Sequence, residues 1–84
     1  MDDTSVLTRI EALIAEEHSL QRQEGADAHD VGALDRDRGR LAEVNVELDR
    51  CWDLLRQRRA RRAAGEDPDA AEARSADTVE HYQQ

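Results

Sequence analysis

The chain has 84 residues, with 20 acidic side chains against 12 basic ones and a formal charge of −8 at neutral pH. Leu, Ile and Val together number 15 and there is no Phe, so the sequence can build one small domain with a thin apolar core and nothing larger. A single cysteine excludes an internal disulfide, and Cys51 with His18, His29 and His81 gives no zinc-ligand spacing.

The opening MDDTSV carries no positive charge, and the longest apolar run, Ala12 to Ala15, is only four residues. That is far short of a signal or membrane segment, so a cytoplasmic location is expected. From Thr4 to Glu24 the residues Val6, Leu7, Ile10, Leu13, Ile14 and Leu20 recur at three- and four-residue spacings. The spacing predicts an amphipathic helix over about 4–24 with Asp3 or Thr4 as N-cap. Residues 25–30, GADAHD, join a helix-ending glycine to Asp30, a cap for the next helix. The second helix is predicted over about 31–64, stopped by Gly65 and Pro68 and weakened early by Gly32 and Gly39. Its stripe has coiled-coil spacing through Leu34, Arg38, Leu41, Asn45, Leu48, Trp52 and Leu55, with Val44 and Cys51 on the flank. Residues 65–84 form an acidic tail, expected to be mostly mobile with short helical turns after Asp67 and Asp77.

Two helices joined by a short turn pack antiparallel, and folding there brings together residues whose numbers sum to about 55. Ile14 then faces Leu41, Ile10 faces Asn45 and Leu7 faces Leu48. Glu17 falls opposite Arg38, which predicts a part-buried ion pair, unless both side chains snorkel to water. The second helix outruns the first by about a dozen residues, leaving Trp52 and Leu55 uncovered. The expected fold class is therefore all-α: an antiparallel two-helix hairpin assembling into a dimeric four-helix bundle or a higher oligomer. Leu48, Cys51, Trp52 and Leu55 are its expected oligomer interface. Asn45 is the polar stripe residue that either fixes register or bonds a neighbouring backbone or water.

The most distinctive segment is LDRCWDLLRQRRARR, in which Arg56, Arg58, Arg59, Arg61 and Arg62 place +5 between Leu54 and Gly65 and leave −13 elsewhere. An arginine-rich helix end can contact phosphate, which makes a nucleic-acid-associated regulator the second functional reading. These arginines point to all sides, however, no aromatic residue interleaves them, and the rest of the chain repels polyanions. The first reading has them complement the helix dipole and pair with acids, from Asp2 and Asp3 of a partner or from the chain's own EDPD. Trp52 reads as a hydrophobic anchor and Cys51 as a small apolar residue without an activating histidine.

No enzyme and no cofactor are expected. Glu16, Glu17 and His18 are adjacent rather than in the Glu-x-x-His arrangement of di-iron bundles, and neither a glycine-rich phosphate loop nor a nucleophile elbow occurs. The expected partner is a second copy of the chain, a dimer in the first instance, without nucleic acid or membrane.

Over Val46 to Asp69, VELDRCWDLLRQRRARRAAGEDPD, the sequence resembles a family of short actinobacterial proteins, the domain-of-unknown-function family numbered 2630. The E-E-H of Glu16, Glu17 and His18 and the closing V-E-x-Y of Val79, Glu80 and Tyr82 extend the resemblance to nearly the whole chain. Residues Ala26 to Gly39 depart most from the pattern. The resemblance implies no activity, cofactor or substrate, but it does imply a shared role for the Trp–Arg segment and the tail.

Overall fold

Asp2 starts the first helix: its carboxylate accepts a hydrogen bond from the Ser5 amide at 2.7 Å, satisfying a first-turn donor that has no partner within the helix. In a computed structural model, which describes residues 2–71, helix α1 then runs Asp3–Ala26. The cap lies upstream of the Asp3 or Thr4 expected from the sequence, because the Asp3 carboxylate is turned towards the second helix instead. Gly25 does not end α1 but lies inside its last turn. The chain reverses through Asp27 to Asp30, where the Asp30 amide donates to the Asp27 carbonyl at 2.9 Å.

Asp30 caps helix α2, Val31–Ala63, by accepting from the Ala33 amide at 3.1 Å. Gly65 ends it with a positive φ of 76°. Its left-handed backbone lets the Glu66 amide reach the Arg61 carbonyl at 2.7 Å and its own amide reach the Arg62 carbonyl at 3.2 Å, the Schellman closure of a helix end. Asp67 then accepts from the Asp69 amide at 2.9 Å and caps a single 3₁₀ turn, Pro68–Ala70. The rest of the expected tail, including the turn after Asp77, lies outside the described residues.

Val6, Ile10, Leu13 and Leu20 of α1 and Val44, Leu48 and Leu55 of α2 are the buried apolar core, with Ile14, Leu41, Cys51 and Leu54 half-buried against it. The all-α antiparallel hairpin is thus the architecture of the chain. Burial follows a different phase of the α2 pattern from the one read off the sequence. Leu41, Leu48 and Leu55 belong to both phases, but between them the core takes Val44 and Cys51, while Asn45 and Trp52 fall on the flank. An amide and an indole N–H are costly to bury unpaired, whereas Val44 is fully enclosed without cost, so the all-apolar phase turns inward. Asn45 is therefore exposed in the hairpin rather than a polar core residue. Leu48 and Leu55, expected at an oligomer interface, are occupied within the chain's own core.

Near the turn, Arg40 pairs with Glu16, residues whose numbers sum to 56. At the open end Asp3 meets Arg58, with a sum of 61; arginine is long, and helical side chains lean towards the N-terminus of their helix.

Two substitutions test this packing by urea unfolding. A Cβ built on Gly39, in the middle of α2, meets nothing within 4 Å, so Gly39→Ala should raise stability by about 1 kcal/mol. Leu13→Ala empties a site that is 2% exposed and should cost about 3 kcal/mol.

Candidate functional site

The arginine-rich end of α2 is occupied by acids of the same chain. Arg58 is only 5% exposed although it carries a full charge. Its Nε donates to Asp3 Oδ1 at 2.7 Å, and its Nη1 donates to Asp69 Oδ1 at 2.9 Å and to the Pro68 carbonyl at 3.2 Å. Arg62, one turn further on, donates from Nη2 to the other Asp3 oxygen at 2.8 Å. One guanidinium thus joins the start of α1, the end of α2 and the 3₁₀ turn. Arg61 lies 4.0 Å from Glu66, and Arg56 lies 3.7 Å from the buried Asp53, which also accepts from Gln57 at 3.0 Å. Arg59 is exposed. Glu66 and Asp69 of the EDPD segment take the part anticipated from the sequence, while Asp67 caps the 3₁₀ turn; Asp3 comes from the same chain rather than a partner, because the start of α1 lies alongside Arg58. Asp2 is spent on the helix cap.

Hydrogen bonds from Arg58, and then from Arg62, hold the Asp3 carboxyl below its ordinary value of 3.8. Asp3, followed by Asp69, raises the Arg58 pKa further above its already high value.

A second feature is the flank beside the core. Leu7 is 37% and Trp52 40% exposed, and Ile14 and Leu41 are half-buried. Leu7 directly follows the core residue Val6, Ile14 follows Leu13, Asn45 follows Val44, and Trp52 follows Cys51. In two right-handed helices running antiparallel, the residue after a core position turns to the same side of the plane containing both axes. The four therefore share one flank, and a register between 56 and 61 sets Leu7 level with residues 49–54, the level of Trp52.

The turn end carries two carboxyl arrangements. Glu16 takes a two-pronged grip from Arg40, at 2.6 Å to Oε1 and 2.8 Å to Oε2 from Nη2, and Arg40 also reaches Glu43 at 3.1 Å. The pair expected between Glu17 and Arg38 is not formed. Arg38 follows the inward-turned Asp37 and is exposed, while Glu17 stays half-buried at the edge of the core. Asp37 lies against Asp27, whose hydrogen bond holds the Asp37 proton above the ordinary value; burial and the Asp27 and Glu24 charges add to this, and Arg36 opposes it. When both carboxyls are ionised neither can donate, which leaves the buried Asp37 Oδ2 without a partner.

Cys51 is half-buried. Burial, and then the Glu47 charge, push its thiol up, against weaker opposition from Arg9 and Arg50, which is the reverse of an activated nucleophile. Among the described residues no group of three or more His, Cys, Asp or Glu is placed to hold a metal ion, and no helix is long and apolar enough to cross a membrane.

The two carboxyls predict opposite pH effects, measurable as melting temperature against pH. Asp3, with a depressed folded pKa, contributes stability that is present above 3.8 and lost as pH falls through the lower folded value; Asp3→Asn should flatten that acid limb. Asp37, with a raised folded pKa, contributes stability present below 3.8 and lost as pH rises through the higher folded value. Asp37→Asn should therefore melt higher than the parent at pH 7, and the gain should vanish in acid.

A family model described as "Protein of unknown function (DUF2630)" matches residues 2–84. An uncharacterized protein of Mycobacterium bovis is 44% identical over 80 residues, covering 95% of this chain and 88% of that protein. Uncharacterized proteins from two strains of Mycobacterium tuberculosis give the same identity and coverage. No solved structure matches. Of the two motifs on which the sequence resemblance rested, the E-E-H falls in α1, where Glu16 holds Arg40 and His18 is exposed, and the V-E-x-Y at residues 79–82 lies outside the described residues. With the match running from the Asp2 cap to the final residue, the chain belongs to the DUF2630 family of proteins of unknown function.

Proposed function

We propose that the chain is a small, non-catalytic helical module that works by self-association. The observation that carries this reading is the flank on which Trp52 and Leu7 stay 40% and 37% exposed, side by side and continuous with the half-buried Ile14 and Leu41. A tryptophan set at coiled-coil spacing and left at a helix flank is the kind of residue that a protein interface desolvates. The hairpin has only two layers of helix, so its core has no further element to cover that side.

The arginine-rich end supports the same reading over a nucleic-acid contact. Arg56, Arg58, Arg61 and Arg62 each have an acid of the chain within 4.0 Å, so binding phosphate requires breaking pairs already made. A shallow groove lined by Arg40, Ala42, Glu43, Val46 and Glu47 is the outer surface of one helix and does not bring polar groups together from different elements.

Light scattering coupled to size exclusion tests the proposal. The parent chain should elute at the mass of a dimer or a larger closed assembly. Leu7→Glu/Trp52→Glu should shift to the single-chain mass while keeping its helical circular dichroism. A parent that stays single-chain at its highest soluble concentration would refute it, as would an assembly indifferent to both substitutions.

A further inference from the structure

The side of α2 turned away from α1 is shielded over half its length. Asp53 follows the fully enclosed Val44 by nine residues, two and a half helical turns, so it points away from the core, yet it is only 4% exposed. Val46, Arg50, Gln57 and Arg61 lie on the same outer side and are half-buried. Nearer the turn that side is open, with Asp35, Gly39 and Ala42 exposed. The outer side of α1 is open too, at Thr4, Thr8, Glu11, Ala15 and Arg22. Neighbours on one helix leave an outward carboxylate in water, so burial this deep requires a further stretch of chain over it. Among the described residues the 3₁₀ turn packs on α2 beside Arg58. Val46 is twelve residues, roughly 18 Å, further along the helix, beyond the reach of three residues.

We infer that residues 72–84 of the same chain fold back along this outer side, antiparallel to α2, as a third layer that sets Arg74 on Asp53 and Asp77 on Arg50 and ends over Val46. The segment starts in the right place and direction: the Asp69 carboxylate is bonded to Arg58, so the chain after Gly65 already runs back along the helix it has left. It has the right length. Its thirteen residues at helical rise cover about 20 Å, against the roughly 18 Å from Arg58 to Val46. The numbers of Asp69 and Arg58 sum to 127, and that register, continued at helical rise, brings Arg74 level with Asp53 and Asp77 level with Arg50. Opposite charges therefore meet at two successive turns. The same register carries Val79 and Tyr82, the two large apolar residues of the segment, to the level of Val46. The shallow groove lined by Ala42, Glu43, Val46 and Glu47 lies where the segment runs out, and beyond it the outer side of α2 is exposed. This layer does not rest on the self-association proposed above, because Trp52 and Leu7 lie on a different side of the hairpin.

Two measurements on the full-length chain test this, in a sample whose mass by light scattering is that of one chain; where the parent assembles, the Leu7→Glu/Trp52→Glu variant supplies it. The first is amide hydrogen exchange by NMR. Amides within residues 74–82 should exchange at least tenfold more slowly than in a free peptide of residues 72–84, and Tyr82→Ser should remove that protection while leaving the amides of α1 and α2 protected. Free-peptide rates throughout the segment in the single chain overturn the inference and assign the cover over Asp53 to a second copy. The second is a charge swap read by urea unfolding. Arg50→Asp and Asp77→Arg should each lower the midpoint, and the double variant should recover at least half of the summed loss. Losses that simply add overturn the register. Both substituted side chains lie off the apolar core, so the variants retain the hairpin on which the comparison depends.

Discussion

A buried guanidinium governs the open end of this molecule. Arg58 is removed from water almost completely, and a charge in that position persists only if its donors are satisfied by fixed acceptors. The acceptors come from three places in the sequence: the first residue of α1, the carbonyl of Pro68 and the carboxylate of Asp69. Because all three must be present together, the start of α1, the overhanging end of α2 and the returning segment are fixed relative to one another. The apolar core by itself would not do this, since it stops at Val6 and Leu55. The Schellman closure at Gly65 serves the same end, turning the chain so that Pro68 and Asp69 come back beside the helix they follow.

The α2 helix carries two overlapping four-three stripes rather than one broad face. Both run through Leu41, Leu48 and Leu55, and the hairpin consumes the one that continues through Val44 and Cys51. The other, through Arg38, Asn45 and Trp52, is left along the flank with Leu7 and Ile14 of α1 beside it. That flank is the surface on which the proposed self-association rests.

Helix identity, the turn, the Asp30 cap and the stop at Gly65 and Pro68 were legible from the sequence because each depends on local chemistry: apolar spacing, a capping carboxylate, a residue that tolerates positive φ. The resemblance to the family was legible for a different reason, the unusual Trp–Arg segment. What escaped was phase. A four-three pattern through Leu41, Leu48 and Leu55 fits two seams equally well, and the choice between Val44 and Asn45 is settled only by which side chain the opposing helix can enclose. The same slip misplaced the charged pair near the turn: Glu16 and Arg40 hold it, one residue and two residues away from the Glu17 and Arg38 that the assumed seam brought together. The burial of Arg58 was missed because an arginine among five gives no sign of being the one turned inward. The signal available was its four-three continuation of the core stripe, from Leu48 through Cys51 and Leu55 to Arg58.

The Asp3–Arg58 bond joins residues 55 apart in the chain, whereas the turn closes between neighbours. Such a hairpin zips from its bend outwards, each added layer shortening the loop that the next must close. Asp3 leaves the ribosome long before Arg58 and Asp69 have been synthesised. During translation the first helix therefore waits as a lone amphipathic segment whose terminal clasp has no mate, and the molecule locks only when its final third has emerged.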